Sequence, residues 1–230
     1  MGAPGDRLPF YNDDSVPAWH AWLLIGATLL LAVVLNVMAF LQVGGAAFKA
    51  FLVFLLPLAA LLFVAHGNIG TIIKKPRLGD IPLILIVTVL AMAYSLAAGT
   101  LSSLITGATT HGNPLMGETM DAGRIALVFV QLFGEELFKT NMMLGILLLL
   151  FRRSGNRKSA IVIATLVTAL VFGLAHYAAY GSIVQILLVQ GLGCIIDMFA
   201  YLKTKNILTS YAVHLLLDFI PLGLAALGAV

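Results

Sequence analysis

Charged residues are scarce in this chain of 230 residues. Only 10% of them are Asp, Glu, Lys or Arg, whereas 61% are apolar, and the mean hydropathy is +1.05. Soluble domains carry about 25% charged residues. The composition therefore excludes an ordinary soluble domain and indicates an integral membrane protein whose surroundings are a lipid bilayer. The net charge of +3 gives no reason to expect a nucleic-acid partner.

Cysteine is almost absent. The single Cys194 lies in an apolar run and excludes an intrachain disulfide as the basis of the fold. Residues 1–18 are polar and rich in Pro and Gly, and they lack the basic start and short apolar core of a cleavable signal peptide. We therefore expect a polar N-terminal segment, 1–18, followed by one transmembrane domain, 19–230.

Long apolar runs dominate the rest of the chain. A helix needs about 20 mostly apolar residues to cross the hydrocarbon core. The runs are continuous rather than alternating, so they predict helices and not the strands of a barrel. The predicted fold is an all-α polytopic bundle of about seven transmembrane helices. The predicted spans are Trp19–Leu41, Ala46–Ala65, Ile81–Ile105, Ala122–Phe151, Ser159–Tyr177, Ser182–Leu202 and Ile207–Leu227.

Basic residues are concentrated in three of the connections between spans. By the positive-inside rule, loops rich in Lys and Arg lie in the cytoplasm. This rule predicts a cytoplasmic N-terminus, and the opposite loop "TGATTHGNPLMGETMDAG" agrees because it has no Lys or Arg. The basic residues that carry this prediction are Lys74, Lys75, Arg77, Arg152, Arg153, Arg157, Lys158, Lys203 and Lys205.

Several ionisable side chains lie within the predicted spans. A charge near the bilayer centre costs roughly 2.5–3.5 kcal/mol even on the lenient insertion scale. We therefore expect these groups to face one another or a water-filled cavity. They are Glu135, Glu136 and Lys139 in the fourth span, His176 in the fifth, Asp197 in the sixth, and His214 and Asp218 in the seventh.

The heights of these residues can be compared by counting helical rise. Glu135 and His176 lie roughly 25 Å from the basic connection between the fourth and fifth spans, so an antiparallel hairpin would bring them level. His214 is predicted to lie lower, about 10 Å above the start of its helix at Ile207.

Three ordered motifs resemble those of the CPBP family of intramembrane proteases, which includes CAAX prenyl endopeptidases and bacterial proteins linked to bacteriocin self-immunity. They read Glu135-Glu136, then "FGLAH" from Phe172 to His176, then "HLLLD" from His214 to Asp218. The resemblance implies a catalytic core over 122–230. It also implies an intramembrane endopeptidase, in a bacterial cell membrane, that cleaves a membrane-associated peptide of prenylated, signal or leader type.

One position departs from the pattern of this family. The family's first motif is Glu-Glu-x-x-x-Arg, and Thr140 stands at the position of the Arg, with Lys139 one residue earlier. Lys139 is one turn from Glu135 and three residues from Glu136, so the spacing leaves open which carboxylate is paired. Lys also lacks the planar fork of Arg.

The resemblance also implies catalytic roles. Glu135 would activate a water molecule, with Glu136 as its orienting partner and His176 holding the water, while His214 would face the oxyanion. Asp218 takes a position where Asn could donate a hydrogen bond, but an ionised Asp only accepts. Asp218 would therefore be protonated, orient His214 or bind a metal. Phe172 is interpreted as packing, and Asp197 as reaching the surface, pairing with Lys203 or Lys205, or supporting the site.

Two questions stay open at this point. No cofactor is required by the motifs, but a divalent metal such as zinc is an alternative, with His176, His214, Asp218 and Glu135 as candidate ligands. Thr140 also favours, as an alternative function, a weakly active or inactive membrane protein that acts in bacteriocin self-immunity or as an interaction partner. A proton-coupled transporter would use the same buried groups.

Overall fold

The computed structural model describes residues 17–113 and 120–226, and this part of the chain is helical without a β-strand. Residues 1–16 of the predicted polar segment lie outside the described residues. The helices are α1 (Ala18–Phe40), α2 (Ala46–Val64), α3 (Ile81–Thr106), α4 (Ala122–Ser154), α5 (Arg157–Ala175), α6 (Tyr177–Tyr180), α7 (Ile183–Gln185), α8 (Gly193–Thr204) and α9 (Ile207–Ala226). A π-helical segment, Ile186–Leu192, joins α7 to α8.

Six spans in the described part are long and apolar enough to cross a membrane. They are Ala18–Phe40, Ala46–Val64, Leu78–Thr106, Arg157–Ala175, Ile183–Thr204 and Ile207–Leu224. The polytopic helical bundle predicted from the sequence is therefore confirmed. The fourth predicted span, α4, is not one of these six, because charged residues interrupt its apolar run. A seventh crossing and a cytoplasmic N-terminus stay predictions.

The central element of the bundle is α4. It packs against α1, α2, α5 and α9, and most of its residues from Gly134 to Leu148 are buried. The side chain of Asp121 accepts a hydrogen bond from the Arg124 N–H (2.7 Å) and so caps the start of this helix. Gly155, with φ of 64°, ends it in the left-handed region that suits glycine.

The contact between α2 and α4 is unusually close at Gly134, which directly precedes Glu135. A Cβ atom at this position would lie 2.7 Å from backbone atoms of Val53 and Phe54. Only a glycine allows the two backbones to approach to this distance. The charged segment of α4 is thus held directly against α2.

The start of α9 lies inside the protein rather than at its surface. Ile207 and Asn206 are both buried, and the Ile207 N–H donates to the Ile72 carbonyl oxygen (2.9 Å). The Asn206 side chain accepts a hydrogen bond from the Lys74 N–H (3.0 Å). His214 nevertheless lies level with Glu135, since its Nε2 is 3.9 Å from Glu135 Oε2, and the prediction that it lies lower is therefore wrong.

Candidate active site

Glu135 and the two motif histidines converge at one place in the bundle. Glu135 Oε2 lies 3.8 Å from His176 Nε2 and 3.9 Å from His214 Nε2. The other carboxylate oxygen, Oε1, accepts a hydrogen bond from the Gln131 side-chain amide (3.0 Å), one turn earlier on α4. Glu135 is therefore held by Gln131 while Oε2 faces both imidazole rings.

Each histidine ring is oriented by a hydrogen bond from its Nδ1. His176 Nδ1 donates to the Phe172 carbonyl oxygen (2.8 Å), and His214 Nδ1 donates to Glu136 Oε1 (2.9 Å). A carbonyl oxygen only accepts, so the His176 proton is assigned to Nδ1. With both Nδ1 atoms engaged, both rings present Nε2 to Glu135.

Glu136 lies in a buried ion-pair cluster behind the two histidines. Its Oε1 is 2.5 Å from Lys139 Nζ, and Lys139 also donates to Asp197 on α8. A single ammonium group thus pairs with two carboxylates, and this pairing offsets the cost of burying their charges. The spacing left open which glutamate is paired, and in the structure Lys139 pairs with Glu136.

Asp197 is buried, and its partner is Lys139. The interpretation that it reaches the surface or pairs with Lys203 or Lys205 is wrong, and support of the site is the interpretation that fits. The pairing joins α4 to α8, a long-range contact between residues 58 positions apart that spacing along one helix does not reveal.

Phe172 has two contacts beyond its packing in the core. Its ring centroid lies 4.6 Å from that of His176 and 5.0 Å from Lys139 Nζ. The ring therefore separates the ion-pair cluster from His176, while its backbone carbonyl orients the histidine. Thr140, at the position of the family's Arg, is buried beside this cluster.

Asp218 lies one turn after His214 on α9 and interacts with Asn113 of the α3–α4 connection. The Nδ1 of His214 donates to Glu136, so the hydrogen bond that orients this ring goes to Glu136 and not to Asp218. The sequence motifs alone do not distinguish these two carboxylates, because both lie within reach of His214.

Asn36 is a site residue that the motifs miss. Its side-chain amide donates to the carbonyl oxygens of Leu174 and Ala175 (both 3.2 Å), and its Oδ1 accepts from the Ala178 N–H (2.9 Å). These three bonds hold the junction of α5 and α6 where His176 lies. No sequence signal identifies Asn36, since it comes from α1 and is separated from its partners by about 140 positions.

A cavity of about 220 Å³ borders Glu135 and His176. Most of its lining is apolar, and Glu135 keeps 14% of its side-chain surface exposed, against 2% for Glu136. Glu135 is therefore the carboxylate that a molecule in the cavity can reach. The lining residues are Leu35, Ala39, Lys49, Val53, Gln131, Glu135, Phe138, Phe172, Ala175, His176, Ala178 and Ala179.

A group of possible metal-ligand atoms lies within the ion-pair cluster. In the described residues, Glu136, Asp197 and His214 offer three ligand atoms within 4.8 Å of one another, a set that could hold a metal ion. Of the predicted ligands only His214 belongs to it. Lys139 already lies between the two carboxylates, and His214 donates from Nδ1 to Glu136. Since zinc needs ligand lone pairs and no competing cation, these residues as arranged do not fit it.

Residues 122–220 match the model of a family described as type II CAAX prenyl endopeptidase Rce1-like. The match runs from the start of α4 into α9 and includes all three motifs. The resemblance predicted from these motifs is confirmed, and the family is one of proteases. Together with the six apolar spans, the match identifies an integral membrane protein. A significant match was found neither among curated proteins nor among solved structures.

Proposed function

We propose, from the premise that residues 122–220 make this chain a member of the CPBP family of intramembrane proteases, that it hydrolyses a peptide bond with a water molecule activated by Glu135. The catalytic core in this proposal is 122–230. The substrate is a membrane-associated peptide or protein segment, and the location is a bacterial cell membrane.

One geometric observation carries the proposal. The distances of 3.8 Å and 3.9 Å from Glu135 Oε2 to the two histidine Nε2 atoms are too long for direct hydrogen bonds. They suit one water molecule between these groups, since polar atoms at such separations are commonly bridged by water. A water molecule held there would touch the carboxylate that removes its proton.

The choice between the glutamates follows from their partners. Glu136 is buried and is engaged by Lys139 and His214, whereas Glu135 borders the cavity and is bound only on Oε1, by Gln131. A general base must lie within reach of the proton it removes. Glu135 satisfies this requirement and Glu136 acts as the orienting partner.

The steps of the reaction follow from these positions. Glu135 takes a proton from the water as the water oxygen forms a bond to the peptide carbonyl carbon. The carbonyl π electrons move to oxygen, and His214, when protonated on Nε2, faces this oxyanion, while His176 orients the water. The C–N bond then breaks, and the nitrogen takes the proton from Glu135.

The cavity supports a peptide with small or apolar side chains next to the scissile bond. Four alanines and two phenylalanines line it, and its volume of about 220 Å³ is below the roughly 300–1,000 Å³ of drug-sized pockets. It therefore suits a short segment of peptide rather than a folded domain. Prenylated, signal-type and leader-type peptides are all candidates.

The test is cleavage of fluorogenic prenylated and leader-type peptides by the purified protein in detergent. General-base catalysis contributes about 10²–10⁴ in rate, so we expect Glu135→Gln to lower kcat by that factor. Asp80→Asn makes the same chemical change away from the cavity and should leave the rate unaltered. Cleavage at the normal rate by Glu135→Gln would remove the general-base role.

A wild-type protein that cleaves none of these peptides would instead favour the alternative of a weakly active or inactive protein in bacteriocin self-immunity or protein interaction. The transporter alternative has a separate readout, since it predicts pH-gradient-driven uptake into proteoliposomes that Glu135→Gln abolishes.

A further inference from the structure

The candidate site is rich in hydrogen-bond acceptors, and the group proposed above to face the oxyanion, His214 Nε2, donates only when that ring is protonated. Glu135, Glu136 and Asp218 only accept when ionised, and the Nδ1 protons of both histidines are already used. The side-chain amide of Gln131 is used on Glu135. Peptide hydrolysis needs a donor for the oxyanion that forms, and a hydroxyl group beside the site would meet this need.

Tyr180 carries a hydroxyl group close to the candidate site. It lies one turn after His176, and its N–H donates to the His176 carbonyl oxygen (3.2 Å), so the two side chains share a face of α6. Their ring centroids are 6.2 Å apart. The phenol also interacts electrostatically with Asp218 and Glu135.

The surrounding backbone fixes the position of Tyr180. Gly181, with φ of 66°, ends α6 directly after it, and Asn36 binds the Ala178 N–H within the same turn (2.9 Å). The π-helical segment packs closely on α5, since a Cβ at Gly173 would lie 2.5 Å from the Ile186 carbonyl oxygen. Such segments are frequent at functional sites.

Gln190 of the π-helical segment lies beside the phenol of Tyr180. Its Oε1 is buried and has no hydrogen-bond partner among the described residues, so the phenol does not donate its proton to this oxygen. Burial, together with the charges of Asp218 and Glu135, raises the pKa of Tyr180 to about 12, so the hydroxyl is neutral at physiological pH.

We propose that the hydroxyl of Tyr180 donates a hydrogen bond to the oxyanion, the role that an ionised Asp218 cannot fill. The proposal rests on the hydrolytic function proposed above. When water attacks, the carbonyl π electrons move to oxygen and Tyr180 donates to that oxygen. When the C–N bond breaks, the C=O bond re-forms and Tyr180 keeps its proton, so the residue is unchanged over the cycle.

The experiment compares Tyr180→Phe with Tyr177→Phe on a peptide that the wild type cleaves. Removal of one oxyanion donor costs about 10²–10³ in kcat in other enzymes, so we expect this loss for Tyr180→Phe with little change in KM. Tyr177 is exposed and lies on the same short helix, so its matched substitution should leave kcat unaltered. A Tyr180→Phe protein with wild-type kcat would overturn the proposal.

A second variant separates a donor from a residue that only supports the fold. Asn at position 218 supplies an amide donor, so we expect Tyr180→Phe/Asp218→Asn to regain at least about tenfold of the lost kcat. A purely structural role for Tyr180 predicts no recovery and a lower melting temperature. The double variant failing to exceed Tyr180→Phe would therefore also overturn the proposal.

Two further measurements distinguish failure of the Tyr180 proposal from failure of the proposed hydrolytic function. Lys49→Met removes a charged donor that lines the cavity, and a loss confined to Lys49→Met would give the role to Lys49 and not to Tyr180. Wild-type cleavage that Glu135→Gln abolishes and Tyr180→Phe retains would leave the proposed function intact while removing this inference. A wild type without any turnover would remove both.

Discussion

Lys139 Nζ lies 2.5 Å from Glu136 Oε1, three residues earlier on the same helix. The i, i+3 spacing brings the ammonium to the second glutamate although the family's cation stands one residue later. Among the described residues, Glu135 has no Lys or Arg in an ion pair and faces the two histidines instead. The displacement of the cation from 140 to 139 therefore preserves the difference between a free and a paired glutamate.

The first prediction concerns loss of this cation. Lys139→Met leaves the buried carboxylates of Glu136 and Asp197 without a counter-charge, and breaking a buried pair costs about 3–5 kcal/mol. We expect a large drop in the melting temperature in detergent. Lys139→Arg retains the charge and should retain more stability, and equal melting temperatures for Lys139→Met and the wild type would contradict the assigned pairing.

The second prediction concerns the family position. Thr140→Arg adds a large cation where the side chain is already buried and where Lys139 already serves both carboxylates. Overpacking alone costs about 1–3 kcal/mol. We therefore expect Thr140→Arg to lower the melting temperature instead of raising activity. Thr140→Val is the matched control, and a gain in kcat by Thr140→Arg would show that Lys139 does not replace the Arg.

The third prediction concerns Asn36 as a positioning residue for His176. Asn36→Asp keeps the acceptor for the Ala178 N–H but loses the donor to the carbonyls of Leu174 and Ala175. Asn36→Leu loses both. Unsatisfied polar groups cost about 1–3 kcal/mol each.

We expect kcat to fall in the order wild type, Asn36→Asp, Asn36→Leu, with KM less affected because Asn36 does not line the cavity. Kinetics for the three proteins, with melting temperatures beside them, provide the check. Identical kcat values would show that the α5–α6 junction is held without Asn36.

The fourth prediction concerns metal. Because Lys139 occupies the position between Glu136 and Asp197, we expect cleavage to persist in 1,10-phenanthroline and in EDTA. The complementary measurement is zinc content of the purified protein by mass spectrometry. Stoichiometric zinc, together with inhibition that added zinc reverses, would contradict the expectation.

The fifth prediction concerns orientation in the membrane. The basic connections predict that Ser154 faces the cytoplasm and Thr109 the opposite side. Both residues are exposed, and the one native cysteine, Cys194, is buried and provides an unreactive background. An impermeant maleimide added to intact cells should label Thr109→Cys and spare Ser154→Cys. The reverse pattern would invert the predicted topology.

Much of the architecture is predictable from the sequence because the free energy of placing a side chain in the bilayer depends mainly on the type of that one residue. Continuous apolar runs specified the helices, and the cost of charge in a bilayer identified Glu135, His176 and His214 as a group that must meet. Their convergence in the structure agrees with this argument. The ordered motifs also identified the protease family before any fold was known.

Other features depend on contacts between distant positions and could not be predicted. Asp197 pairs with Lys139 across two helices, and Asn36 holds the end of α5 from α1. These contacts join residues on different helices, so neither helical periodicity nor spacing along one helix predicts them.

One wall of the cavity lies outside the region that matches the protease family. Leu35, Ala39, Lys49 and Val53 come from α1 and α2, whereas Glu135 comes from α4. Substitutions on the first two helices can reshape the cavity without touching Glu135 or the two histidines. If the chain acts as the proposed protease, such substitutions would change its peptide selectivity and leave the proposed hydrolytic chemistry intact.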